Sequence, residues 1–597
     1  MTNEGYYPRL SDSAQAGAVL ADDFLETFKQ SLLTDYKSFV QSEEFVHNEI
    51  LSPRRSSTHT PFRDVQPSRQ PPCVHDELQD DRERNTERNH EPSITAATVP
   101  GIGSMGVSVL NYPLSLFDNL PELPPASIIE DLTWAFETGF LRKAPFLSDL
   151  SNPDTPALAG LAGMTPVPPY LAFSRALIGT VVTRRQECCM WAPSLYETAL
   201  KLFVGSVELD NRTSRNIHWY EAGLLLVVYG MLHSDDAIWE TTTIVNGYFL
   251  VPYKHRGFLQ IADQGAPFDT HDTSLITSFY FVIDIIRAIH LNTPPSFSPT
   301  DLSFPLTDQS TWRFEDLYRQ IIIHKRPLSP DQTPGEYLLA ILCILSEVFQ
   351  LLKFLGPFVD ETTQNPHMAD VNSIFYPPSS ASREYLRQIE GLICSLQVWH
   401  SSIDAQSARS SNGCQFSNAS LSRGPNSATL KLHRDSLPIA YMCRILLELG
   451  PRALELPKIA GYDGPLPNGH NPPSPLNDKP HQLGIHVSDS AIECSWKILE
   501  TLDDEGHDVD CTVEDSFIPL WLPLVLFYAG LTVWARMQED QDRGLLKGAQ
   551  NSPSARRRLL RSFENELRKI GRQYKSAARM ADVIKKLYSC TLAEISV

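Results

Sequence analysis

From about residue 126 onward, apolar residues return every three or four positions, and the strict alternation of a half-buried strand is rare. The pattern predicts an all-α fold, a large multi-helix bundle. Helices are expected over 126–141, 170–182, 193–207, 217–233, 236–257, 273–291, 314–323, 334–356, 382–401, 435–449, 487–502, 519–539 and 553–588. One of them stands apart. Along "TSLITSFYFVIDIIRAIHL", Leu275, Phe279, Val282, Ile286 and Ile289 share one face, while Ile276, Tyr280 and Ile283 cover another. Such a helix is apolar nearly all round and belongs at the centre. Asp272 or Thr273 suits its N-cap, and Pro294 with Pro295 ends it, after which the chain runs extended across the bundle.

Asp284 and Arg287 interrupt this apolar pillar three positions apart, close enough to pair. Burying either alone is costly, so the pairing reads as structural, with ligand sensing as the alternative. A further apolar run, "SFIPLWLPLVLFYAGLTVWA" (516–535), carries no charge, yet Pro519 and Pro523 break it early. It reads as a buried core helix, and no membrane partner is expected.

Polar stretches set the boundaries. Residues 1–100 hold one amphipathic segment and are otherwise too polar and proline-broken to build a core; a largely disordered arm with one short helix is expected, followed by a helical domain over 101–597. Within that domain, Ser-, Asn-, Gly- and Pro-rich loops are expected near 407–428 and 465–482.

The last predicted helix changes the charge picture. Across 552–586, eleven Arg and Lys face three acidic residues, a balance of 11 − 3 = +8, in a chain of 597 residues whose formal net charge is −20. Ser552 and Pro553 can start this helix, and Leu559, Phe563, Leu567, Ile570 and Tyr574 form its packing face. Its opposite face has three readings: a solvated surface complementing the acidic body, a nuclear-import patch at Arg556, Arg557, Arg558 and Arg561, or a nucleic-acid surface. The acidic whole repels polyanions, which argues against a protein that coats DNA unaided. Ten scattered cysteines and an N-terminus without a basic-then-apolar leader point to a reducing compartment.

Candidate chemistry is sparse. "GIGSMG" (101–106) spells a dinucleotide fingerprint without the strand and helix that would make it one, and reads as a linker. "LDDEGHDVD" (502–510), with Asp503 and Asp504, resembles the aspartate-rich face of all-α magnesium-dependent lyases and synthases, but His507 and Gly506 fall where the motif needs a carboxylate and a helix. "HSDD" (233–236) and "DTHD" (269–272) precede helices and read as caps. Paired cysteines at zinc spacing are absent, and Cys188 and Cys189 are too close together for a tetrahedral site. No catalytic, cofactor or metal residue is predicted, and the chain is read as no enzyme.

Taken in order, "LPELPPASIIEDLTWAFETGFLRKAPFLSDL", "PPYLAFSRALIGTVV", "APSLYETALKLFVGSVELDN", "HWYEAGLLLVVYGMLHSDDAIWETTTIVNGYFLVPYKHRGFL", the pillar and "ENELRKIGRQYKSAARMADVIKKL" resemble successive segments of the fungal transcription factor regulatory domain. The tail is similar to members that carry two-Cys two-His zinc fingers. The resemblance spans roughly 110–590 and departs at "SLITSFYF", where the family has a basic pair and a tryptophan. It implies a nuclear regulator of RNA polymerase II genes. DNA would be reached through a zinc finger encoded upstream or through a partner, and zinc would belong to that finger. Implied partners are co-regulators, the transcription machinery and a second copy of the chain. A stand-alone helical corepressor without DNA binding is the alternative, and a magnesium-dependent all-α lyase or synthase a weaker one.

Overall fold

A helix with apolar side chains on every face is stable only when other helices surround it, and several helices of this fold are buried in this way. The structure is a computed structural model that, apart from isolated positions, describes residues 120–141, 144–147, 167–259, 270–306, 312–329, 332–356, 378–413, 426–462, 485–503, 518–542 and 553–595. All of these lie within Leu116–Val597. The expected arm over 1–100, the linker at 101–106 and nearly all of the expected loop at 465–482 lie outside the described residues.

The described chain is all-α, with one isolated antiparallel bridge, Pro305 to Arg313. In order, the main helices are α1 (Ala126–Ala135), α2 (Pro169–Val182), α3 (Ala192–Leu209), α4 (Ile217–Leu232), α5 (Asp236–His255), α6 (Thr270–Leu291), α7 (Phe314–Tyr318), α8 (Pro334–Gln350), α9 (Pro378–Gly413), α10 (Asn426–Leu449), α11 (Asp489–Asp503), α12 (Leu522–Asp542), α13 (Pro553–Gly571) and α14 (Lys575–Ile595). Single π-helical turns continue α1, α7 and α8.

The first layer is α1 to α5. A Cβ on Gly179 of α2 would run into the Leu132 carbonyl oxygen of α1, so only glycine permits that crossing. Arg175 of α2 pairs with Glu221 of α4, its Nη2 2.7 Å from Oε1. Burial works against the Glu221 carboxylate, but Arg175 and His218 outweigh it and hold the group below its ordinary value. Asn216 and Asp235 cap α4 and α5, accepting from His218 N at 3.0 Å and Ala237 N at 2.9 Å. Asp235 thus fills the capping role expected of "HSDD".

The centre is α6 and α8. Every pillar position named from the sequence is buried. The stretches His271–Leu291 and Pro334–Leu355 are long and apolar enough to cross a membrane, yet 89% and 72% of their most apolar 18-residue windows is buried inside the protein, as in core helices of a bundle. Thr333 opens α8 with a capping box, exchanging bonds with Glu336 at 2.6 and 3.3 Å ahead of Pro334. The apolar run at 516–535 becomes the start of α12, and Leu522, Leu524, Val525, Leu526 and Phe527 are all buried.

Three boundaries differ from the expectations. The pillar starts at Thr270, so Asp272 lies in its first turn instead of capping it. The loop near 407–428 is shorter, because α9 continues to Gly413 and α10 begins at Asn426. Serine and alanine are tolerated inside a helix, and α10 also accommodates Pro438 in its interior. The helix expected over 553–588 is a hairpin, α13 and α14, turning at Gly571–Tyr574. A Cβ on Gly571 would approach the Ala578 Cβ to 2.8 Å and its backbone nitrogen to 2.9 Å. The Tyr574 hydroxyl fixes the turn by donating to the Ile518 carbonyl at 2.5 Å.

Candidate functional site

The most deeply buried charge pair sits at the join between α6 and the extended strap that follows it. Asp284 has no exposed surface and Arg287 only 7%. Arg287 Nη2 donates to Asp284 Oδ1 at 2.8 Å and to Ser296 Oγ at 3.1 Å. The Ser296 hydroxyl donates to the same Oδ1 at 2.7 Å, and its backbone N–H donates to Oδ2 at 2.6 Å. From α5, Lys254 Nζ reaches the Ser296 carbonyl at 2.6 Å and Asn246 Nδ2 lies 3.4 Å from Ser296 Oγ. Tyr280, whose hydroxyl burial pushes well above its ordinary value, stays protonated and donates to Asn246 Oδ1 at 3.1 Å. One strap residue is therefore held by groups from two helices.

The neighbouring residue completes the joint. Phe297 packs edge-on against Tyr280, ring centroids 5.1 Å apart, and stacks against Phe281 at 6.3 Å. The helix stop lies upstream of the prolines. Asn292 takes a left-handed φ of 49°, its N–H bonds to Ile289 O, and Thr293 N bonds to Ala288 O, which is the Schellman arrangement. Lys353, in the π-helical turn that continues α8, donates to both Asn292 oxygens, at 2.7 and 3.1 Å. Pro294 and Pro295 then keep the released chain extended. The sequence located Asp284, Arg287, Pro294 and Pro295; it carried no periodic signal for Ser296, Asn246 or Lys254, because those contacts come from chain separations no local pattern encodes.

The four arginines grouped as a basic patch do not act as one. Arg556 turns inward, 13% exposed, and pairs with Asp540 of α12, which also meets Arg536 at 3.3 Å. Arg557 is half-buried, whereas Arg558 and Arg561 face outward. Arg561 lies over the Tyr588 ring, 5.0 Å from its centroid, and donates to its hydroxyl. Further along, Arg568 bridges Glu564 and Asp582 at 2.9 Å each, and Lys569 pairs with Glu566 at 2.6 Å. Leu559, Phe563, Leu567, Ile570 and Tyr574 are buried as the packing face requires.

Between α11 and α13 runs an open cleft of about 700 Å³, walled by Trp496 and Leu499 on one side and by Ser562, Asn565, Lys569 and Gly571 on the other. Trp496 leaves half of its surface in solvent, an unusual state for the largest apolar side chain. The sequence reading missed this site, although Trp496 could have been flagged as the aromatic on the polar side of an amphipathic helix.

A second cluster ties α14 to α5 and α6. His290 Nε2 lies 2.6 Å from the Tyr462 hydroxyl, and its ring packs edge-on against Trp239. Burial, with Arg579 nearby, pulls His290 down to about 3, so the ring is neutral and shares a hydrogen bond with the Tyr462 hydroxyl. Arg579 pairs with Asp236 and sits over Tyr462 at 5.9 Å.

Asp503 ends α11, and Asp504 with the rest of the acidic run lies outside the described residues. Among the described residues, no group of three or more His, Cys, Asp or Glu is placed to hold a metal. The class these features define is an all-α bundle with a pinned central joint and an open cleft between α11 and α13. No family model matches the chain, no curated protein matches it, and no solved structure matches it.

Proposed function

We propose that this chain is the helical regulatory body of a nuclear transcription factor acting on RNA polymerase II genes, with DNA recognition supplied by a zinc-finger module or by a partner protein. The reading rests on one observation above all. The segments that resemble the fungal regulatory domain follow one another as α1, α2, α3, α4–α5, α6 and α13–α14, around a central helix whose buried Asp284–Arg287 pair pins the next segment. A body of this kind changes transcription by presenting surfaces to other proteins. Its exposed charges fit that role better than a polyanion-binding one, because several cations of α13 are already neutralised by carboxylates.

The test is to fuse the full chain to an unrelated DNA-binding module and measure a reporter carrying that module's site. The fusion should change reporter output several-fold, and an untethered copy of the chain should compete for that effect. A stable, nuclear fusion that leaves the reporter at the level of the module alone would overturn the proposal.

A further inference from the structure

We infer that the cleft between α11 and α13 docks an acidic helical segment of a partner protein, one that carries an aromatic or leucine anchor. The inference is independent of any role in transcription. Its first support is Trp496. An indole half in water has given up only part of its hydration cost, and aromatic side chains in this state are the recurrent anchors of protein interfaces. Leu499, one turn further along α11, is almost fully buried beneath the same wall and extends the apolar floor.

The second support is the charge of the opposite rim. Arg568, Lys569 and Arg572 line the cleft and are exposed, and Ser562, Asn565 and Lys569 share one face of α13 at helical spacing, with Arg572 just past its end. At 1.5 Å per residue the wall from Ser562 to Gly571 is about 14 Å long, enough for about two to three turns of a docked helix. Of these three, Arg568 and Lys569 already meet carboxylates, and Arg572 forms no ion pair among the described residues, which leaves its charge for an incoming carboxylate.

The carboxylates on the rim decide between two kinds of anionic partner. Glu500 and Glu566 line the cleft itself, and Glu564 and Asp582 flank Arg568. A continuous phosphate backbone would meet these charges at every turn. A peptide can place an acidic residue opposite Arg572 and set its apolar side chain against Trp496. Charge complementarity and an apolar floor together favour the peptide.

The probe is a fluorescein-labelled peptide of about fifteen residues, with Leu and Phe at i, i+3, i+4 and i+7 and Asp or Glu elsewhere, titrated with the full-length protein and followed by anisotropy. Saturable binding is expected, weakened roughly tenfold by Trp496→Ala and similarly by Arg572→Glu. Both positions are at the surface, and a matching circular dichroism spectrum confirms that each variant folds. A peptide with lysine in place of every acid should not bind, and an oligo-dT strand should bind more weakly and without dependence on Trp496. Absence of saturable binding, or equal affinity in wild type and both variants, overturns the inference. Tighter, Trp496-dependent binding of the oligo-dT strand also overturns it and assigns the cleft to nucleic acid.

Discussion

Replacing Asp284 with alanine tests whether the joint between α6 and the strap is a cohesive element of the fold. The substitution removes the acceptor of three hydrogen bonds, from Arg287 Nη2 at 2.8 Å and from the Ser296 N–H and hydroxyl at 2.6 and 2.7 Å. Arg287 is only 7% exposed and cannot reach water without moving the strap. Breaking a buried pair from one side costs about 3–5 kcal/mol, because a desolvated charge is left behind. The Arg287 Nη2–Ser296 Oγ contact survives the change, so the lower half of that range, about 3–4 kcal/mol, is expected. Urea unfolding followed by tryptophan fluorescence gives the loss, provided the slope of the transition is unchanged. Adding Arg287→Met should restore a good part of it, since the unpaired cation goes and an apolar side chain of similar length takes its place. Amide exchange across 293–303 should rise in the single variant, where Ser296 N–H has lost its acceptor. A cost below about 1 kcal/mol, or a double variant no more stable than Asp284→Ala, would refute the reasoning.

Gly571→Ala places a methyl group 2.8 Å from the Ala578 Cβ in the α13–α14 turn and should cost about 1–3 kcal/mol in the same urea experiment; an unchanged midpoint would show that the turn opens freely. His290 predicts a pH dependence. The folded protein holds the ring down to about 3 against an ordinary 6.5, so the unfolded chain takes up a proton that the native state refuses, and stability falls as pH drops below about 6.5. The loss between pH 8 and pH 5 is about 2 kcal/mol. His290→Leu should start less stable at pH 8, with the Tyr462 hydroxyl unpaired, and converge on wild type by pH 5; parallel curves would contradict the assignment. Arg556→Met should destabilise by about 1–2 kcal/mol because it strips Asp540 of a partner, whereas Arg558→Met should stay within about 0.5 kcal/mol; equal effects would mean that Arg556 is not turned inward.

How far the sequence could be read follows from which interactions are local. The pillar helix was legible because Leu275, Phe279, Val282, Ile286 and Ile289 repeat at the helical period, and burial follows that period directly. Asp284 and Arg287 were legible as a pair because three residues on a helix is contact distance. Their third partner was not, since Ser296 reaches them only after the chain has turned at Asn292, whose left-handed conformation a non-glycine residue does not announce. The hairpin at Gly571 escaped notice because α13 and α14 both pack against α12, so the apolar stripe runs through the turn. Arg556 looked like part of a surface patch because its partner, Asp540, lies on another helix. Trp496 is the converse case, an apolar residue on the polar side of α11 that is half exposed.

The central claim, that this helical body regulates transcription, is tested most directly on the native protein. The chain, tagged at its own locus, is crosslinked to chromatin and mapped, and transcripts are compared with and without it. The account predicts enrichment at discrete promoters whose transcripts change when the chain is removed. A folded, abundant protein with no promoter enrichment and no effect on any transcript would contradict it.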